Sequence, residues 1–170
     1  MNRPEPITVS KLNSYVKALI DVDNLVEPTI GDATINNNTA GYGAIHSYSA
    51  TSIIYNCTFL RNSAIQYGGA ISLNAASKVI GCLFLYNKAP GGSALYSSAA
   101  NANLSNSIIL NNIATGSYNY TVYSTGGLIF ANDNWWGNTL NDKSVKLIKS
   151  NGVSLDRWYF LDICATPTRS

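Results

Sequence analysis

The chain has 170 residues, of which 46% are hydrophobic and only 12% charged, with a formal net charge of +2. Neutral polar residues take the place of charge: 21 Asn, 19 Ser, 12 Thr and 13 Gly. This balance excludes intrinsic disorder, which needs low hydrophobicity and high net charge, and it lacks the clustered Lys and Arg of a nucleic-acid binder.

Residues 1–27 form the first expected element, an N-terminal helical cap. Ser10 can cap an α-helix over about residues 8–21, whose Leu12, Tyr15, Val16, Leu19 and Ile20 share one face. Lys11, Lys17 and Asp21 interrupt this first apolar stretch, so it is not read as a signal peptide. No apolar run reaches the ~20 residues of a membrane-spanning helix, and no membrane insertion is expected.

Residues 28–139 repeat. Ile54, Val79, Leu104 and Ile129 stand 25 residues apart, and so do Cys57, Cys82 and Ser107, and Phe59, Phe84 and Ile109. A parallel series of asparagines runs Asn38, Asn62, Asn87, Asn112 and Asn138. The units are β-branched and aromatic runs divided by Gly, Asn and Ser, a pattern of short strands and turns rather than helices or leucine-rich repeats. One such turn cannot bury its own apolar face, so turns must stack, ~4.8 Å apart. The expected fold is all-β: a single right-handed parallel β-helix, a solenoid of about 4–5 turns, closed at its first turn by the N-terminal helix. Residues 140–170 are expected to form a tail covering the last turn or one flank.

Stacking turns places equivalent residues in columns. Asn62, Asn87, Asn112 and Asn138 are candidates for a structural ladder in which each side-chain amide bonds its neighbour and tolerates left-handed backbone. Asn also simply suits turns. The Gly before each Ala-Ile pair, as in Gly43 and Gly69, is expected to bend the chain with φ > 0. Cys57 and Cys82 share a column, either as a disulfide or as stacked small hydrophobes. In-register side chains point in parallel, which favours the second reading. Cys164 lies outside the repeat, and three cysteines without ligand spacing give neither a zinc site nor a disulfide framework. If Phe59, Phe84 and Ile109 point inward, then Leu60, Leu85 and Leu110 point outward and form an interaction stripe. Trp135 or Trp136 would continue it, and Val153, Leu155 and Trp158 of the tail would cover it. A local bend turning both sets inward is the alternative.

The search for chemistry gives no catalytic, cofactor-binding or metal residues. Between residues 30 and 139 the only acids are Asp32 and Asp133, at opposite ends of the repeat. A glycosidase or lyase site needs clustered carboxylates. His46 is the sole histidine and is expected as a lone outward side chain. The 11 tyrosines suit binding better, since Tyr48, Tyr55, Tyr67, Tyr86, Tyr96 and Tyr123 fall in or beside the repeats. Tyr offers amphipathic contact area to sugars or proteins, and it equally tolerates exposed strands. Asn37, Asn56, Asn103 and Asn119 begin Asn-x-Ser/Thr sequons, which matter only on an exported chain.

Phe59-Leu60-Arg61-Asn62 followed by Gly68-Gly69-Ala70-Ile71 resembles the paired repeats of the chlamydial polymorphic membrane proteins. Phe84 to Asn87 with Gly91 to Leu95 is a looser copy, and Tyr42 to Ile45 a partial one. The closer likeness is to adhesin-like surface proteins of methanogenic archaea, on Asn134-Trp135-Trp136-Gly137-Asn138, then Trp158 to Ile163 and Ala165 to Thr168. These resemblances imply a non-catalytic β-helix module at the cell surface or outside the cell, for binding or spacing. Glycans or a surface protein are the implied partners. The runner-up is a carbohydrate-active β-helix enzyme. Residues 5–27 are similar to the N-terminus of the large subunit of exodeoxyribonuclease VII, on Ile7 to Ile20, Asp23, Leu25 and Val26. The likeness stops there: Gly31 to Asn38 replace the OB-fold strand of that family, so no nuclease activity is implied. A fused segment, or a chimeric or synthetic chain without selected function, fits that junction.

Overall fold

Three-residue strands with one buried residue between two half-buried ones recur along the chain, as at Ile53–Tyr55, Thr58–Leu60 and Leu83–Leu85. A strand this short holds a core only by stacking on equivalents of itself. A computed structural model of the protein describes residues 20–21, 29–48, 51–98, 101–136, 152–155 and 158–159. Within them the chain coils as an all-β parallel solenoid of about four turns, without a helix.

Each turn visits four sheets in order. Sheet 1 stacks Ile20–Asp21, Ile45–Ser47, Ile71–Leu73, Leu95–Ser97 and Val122–Ser124. Sheet 2 runs from Thr29–Gly31 through Ile53–Tyr55, Lys78–Ile80, Ala102–Ser105 and Ile129–Phe130 to Val153–Ser154. Sheet 3 holds Thr34–Asn36, Thr58–Leu60, Leu83–Leu85, Ile108–Leu110, Asn134–Trp135 and Trp158–Tyr159. Sheet 4 is the narrowest, with Thr39–Ala40, Ser63–Ala64, Lys88–Ala89 and Ile113–Ala114.

Of the helix expected over about residues 8–21, only Ile20 and Asp21 lie among the described residues. They are a strand, in parallel register with Ile45 and His46. The open edge of sheet 1 presents unpaired amides and carbonyls, and an extended segment satisfies them where a helix cannot. Leu12, Val16 and Leu19 lie outside the described residues.

The step of 25 holds over part of the coil. Ile54, Val79 and Leu104 do share a column. Ile129 pairs with Ala102 instead. Ile113 still pairs with Lys88, a step of 25, whereas Val122 pairs with Leu95, a step of 27. Two extra residues therefore enter between those strands. The core absorbs the shift by exchanging sizes: Ala102 and Leu104 on one turn give way to Ile129 and Ala131 on the next, all buried. Val153 and Leu155 repeat the pattern once more and join the same core.

Sheet 3 supplies the core's aromatic column. Phe59 and Phe84 are fully buried and stacked, with centroids 5.0 Å apart and planes 9° from parallel. Ile35 precedes them and Ile109 follows. Cys57 and Cys82 lie in the neighbouring buried column as free thiols. A hydrogen bond to Cys57, then burial, raises the pKa of Cys82 and keeps it protonated, so the pair packs as small side chains.

Tight corners need left-handed residues, and the positions differ from those expected. Asp32, Asn56, Gly81, Asn106 and Asp133 form one positive-φ column, and Asn37, Arg61, Tyr86 and Asn111 a second. The second column immediately precedes the repeating asparagines; it does not coincide with them. Likewise, positive φ falls on Gly68 and Gly92. Gly69 is needed for closeness: a Cβ there would lie 2.3 Å from the Ser93 carbonyl oxygen of the next turn.

Candidate functional site

The sequence singles out three sets of residues on this frame. The asparagines sit where sheet 3 turns into sheet 4. Asn38 Nδ2 donates to Asn62 Oδ1 at 3.0 Å, Asn62 Nδ2 to Asn87 Oδ1 at 3.0 Å, and Asn87 Nδ2 to Asn112 Oδ1 at 2.9 Å. Each Oδ1 also accepts the backbone N–H of the preceding asparagine. Asn62, Asn87 and Asn112 also donate to the carbonyls of Ile35, Phe59 and Phe84. Asn62 and Asn87 are buried. Asn138 lies outside the described residues.

Leu60, Leu85 and Leu110 align in one half-buried column on the outer side of sheet 3. Neither tryptophan continues it. Trp135 pairs with Ile108 and extends the column of Thr58 and Leu83. Trp136 is buried in the core. The two-residue insertion moved both. Val153 and Leu155, expected over the leucines, point into the core instead.

The tyrosines form the third set. In sheet 1, His46, Ser72, Tyr96 and Tyr123 share a column facing away from the core. Ile45, Ile71, Leu95 and Val122 form the column beside it and point inward. Turn residues before these strands add Tyr42, Tyr67, Tyr118 and Tyr120. The result is a terrace of rings along the coil axis. Tyr67 stacks on Tyr96 at 4.6 Å, and Tyr123 lies 5.7 Å from Tyr96. Tyr118 and Tyr120 flank Tyr123 at 5.2 and 5.6 Å. At the other end Tyr42 stacks on His46 at 5.1 Å, and Tyr48 tilts against the same imidazole. A hydrogen bond of 2.9 Å between the Tyr96 hydroxyl and Thr125 Oγ1 fixes the middle of the row. Burial among these phenols raises the pKa of Tyr123 above its ordinary value.

Glycine makes room for the terrace. A Cβ on Gly91 would lie 3.2 Å from both Tyr118 Cβ and Tyr123 Cδ1. The insertion before Val122 carries Tyr118 and Tyr120 to that place. Serine makes a gap. Where neighbouring turns put His46 and Tyr96, the intervening turn has Ser72, and a cleft of about 160 Å³ opens between the two aromatic groups. Tyr42, His46, Tyr48, Tyr67, Asn74, Tyr96 and Ser98 line it.

Residues 56–74 match the model of the Chlamydia polymorphic membrane protein repeat. The match covers Asn56 through Asn74, less than one turn of the coil. It contains Phe59 and Asn62, the Gly68–Gly69 corner and Ser72. No curated protein and no solved structure matches the chain.

Tyr67, Tyr96 and Tyr123 were legible as repeat tyrosines. Tyr118 and Tyr120 were not, because they stand in the segment where the period breaks. The break itself was the available signal: a two-residue excess bearing two tyrosines. His46 is not solitary, since its ring stacks on Tyr42.

Proposed function

We propose that the chain is a non-catalytic, adhesin-like β-helix module that works at the cell surface or outside the cell, and that the tyrosine terrace is its binding face. The observation that carries this is the gathering of Tyr67, Tyr96, Tyr118, Tyr120 and Tyr123 into one ring cluster from three turns. Amphipathic rings held by a rigid scaffold bind at low entropic cost. The repeat match supports the surface assignment, because the matching family is one of membrane proteins. We take the coil as right-handed, the hand that parallel crossover connections almost always adopt.

The non-catalytic assignment rests on the acids. Asp32 and Asp133 occupy the same left-handed corner column, with Asn56, Gly81 and Asn106 between them. Four strand spacings put them about 19 Å apart. An inverting pair works at roughly 6.5–9.5 Å and a retaining pair closer still.

Immobilised polysaccharides and glycoproteins test the proposal. The wild-type chain should be retained on at least one without product formation. Tyr48→Ser with Tyr118→Ser, at two exposed positions (60% and 50% exposed), should weaken retention about tenfold. Equal retention of both proteins makes the solenoid a spacer. Release of cleaved saccharide makes it an enzyme.

A further inference from the structure

The terrace is not uniform, and its one concavity has a specific chemistry. We propose that the cleft between His46 and Tyr96 takes a single ring of an uncharged saccharide, an inference that rests on the terrace being the binding face.

Four features of the cleft point to that ligand. Its walls are ring faces and edges: Tyr42, His46 and Tyr48 on one side, Tyr67 and Tyr96 on the other. A pyranose has an apolar C–H face that packs on such rings. Its volume of about 160 Å³ holds one ring-sized group; a protein partner would need roughly 800 Å² of matching surface. Asn74 and Ser98 stand at the cleft with an amide and a hydroxyl, which donate and accept, as the hydroxyls of a sugar require. The lining holds no Lys, Arg, Asp or Glu. An anionic glycan or a nucleic acid would need Lys or Arg there.

Aromatic side chains alone would suit a cation equally well. The Asn74 amide and the Ser98 hydroxyl favour a polyhydroxylated neutral ring.

Saturation-transfer NMR and titration calorimetry on the whole chain provide the test. The probes are neutral tetrasaccharides of glucose, galactose, mannose and N-acetylglucosamine, with polygalacturonate, heparin and choline as the alternatives. At least one neutral tetrasaccharide should bind, with saturation passing to the C–H protons of one ring. Tyr48→Ala, Asn74→Ala and Ser98→Ala should each weaken it about three- to tenfold. Tyr48 is 60% exposed, so its removal leaves the fold intact. Ile113→Ser, on sheet 4, should change nothing. Binding of only the anionic glycans or only choline overturns the assignment, as does neutral-sugar binding that survives all three cleft variants. If no neutral sugar binds while the Tyr48→Ser, Tyr118→Ser protein still loses its surface retention, this assignment falls and the binding face stands. If that retention is unchanged as well, both fall.

Discussion

Two corners of the same coil follow opposite rules. Where sheet 3 meets sheet 4, every turn repeats one solution: Asn38, Asn62, Asn87 and Asn112 in one column, Ala40, Ala64, Ala89 and Ala114 in the next. Where the chain re-enters sheet 1, the turns differ. The outward column reads His46, Ser72, Tyr96, Tyr123, and the last loop is two residues longer. The asparagine corner is constrained because each amide must meet the groups of its neighbours above and below. The tyrosine corner lies outside the core, and its rings pack on one another rather than on a fixed partner at every turn, so its side chains are free to differ. Rigidity at one corner is what allows chemical variety at the other.

The largest effect should come from breaking the regular corner. Asn87→Ala takes the acceptor from the Asn62 backbone N–H and one bond each from Asn62 Nδ2, Asn112 Oδ1 and the Phe59 carbonyl, all within or beside the core. A loss of about 3–5 kcal/mol in urea unfolding is expected. A loss below about 1 kcal/mol would mean the column tolerates any turn-forming residue.

Alkaline pH should separate the corners next. Burial of Tyr123 raises its pKa from the ordinary 10.0. A raised folded-state value means stability that is fully present below the unfolded pKa and lost as pH climbs through the folded one. Stability should therefore fall above about pH 10, with Tyr123→Phe flattening the profile while Asn87→Ala leaves its shape alone. Thermal melts from pH 8 to 11 measure this.

Removing Tyr118 and Asn119 together restores the step of 25. Loop length changes stability little, so a change within about 1 kcal/mol is expected, together with loss of the ring cluster around Tyr123. A collapse of the fold would show that the longer loop is itself structural. The smallest effect belongs to Tyr48→Ser, within about 0.5 kcal/mol by the same unfolding measurement.

The regular corner was legible because it is a matter of spacing alone. Cys57 to Cys82 and Phe59 to Phe84 could be laid in register by counting, and the parallel pairing of Thr58–Leu60 with Leu83–Leu85 follows. The slip at Ile129 was hidden for a physical reason. Strand side chains alternate, so a shift by two keeps every inward residue inward, and apolar Ile129 and Ala131 fit either register. The left-handed corners were missed at Arg61 and Tyr86 because neither is a turn residue by preference; the following asparagine imposes the bend. Ile20 and Asp21 read as the end of an amphipathic helix until an unpaired sheet edge needed a partner. The terrace combines a strand column with turn residues of unequal spacing. No single period contains it, and the cleft depends on the small Ser72 standing between two aromatic neighbours.

The asparagine column has a further consequence. Every bond between its asparagines donates in one direction, from Asn38 toward Asn112, and each link joins a side-chain and a backbone bond of the same sense. The column is thus a vector, and neighbouring dipoles in such a chain polarise one another. A spliced-in copy of the 25-residue unit would be welcomed only in the parallel sense, in register with both neighbours. Growth of this architecture by duplication is therefore self-orienting: the amides proofread polarity, and the solvent-facing side of each new copy is left free to diverge.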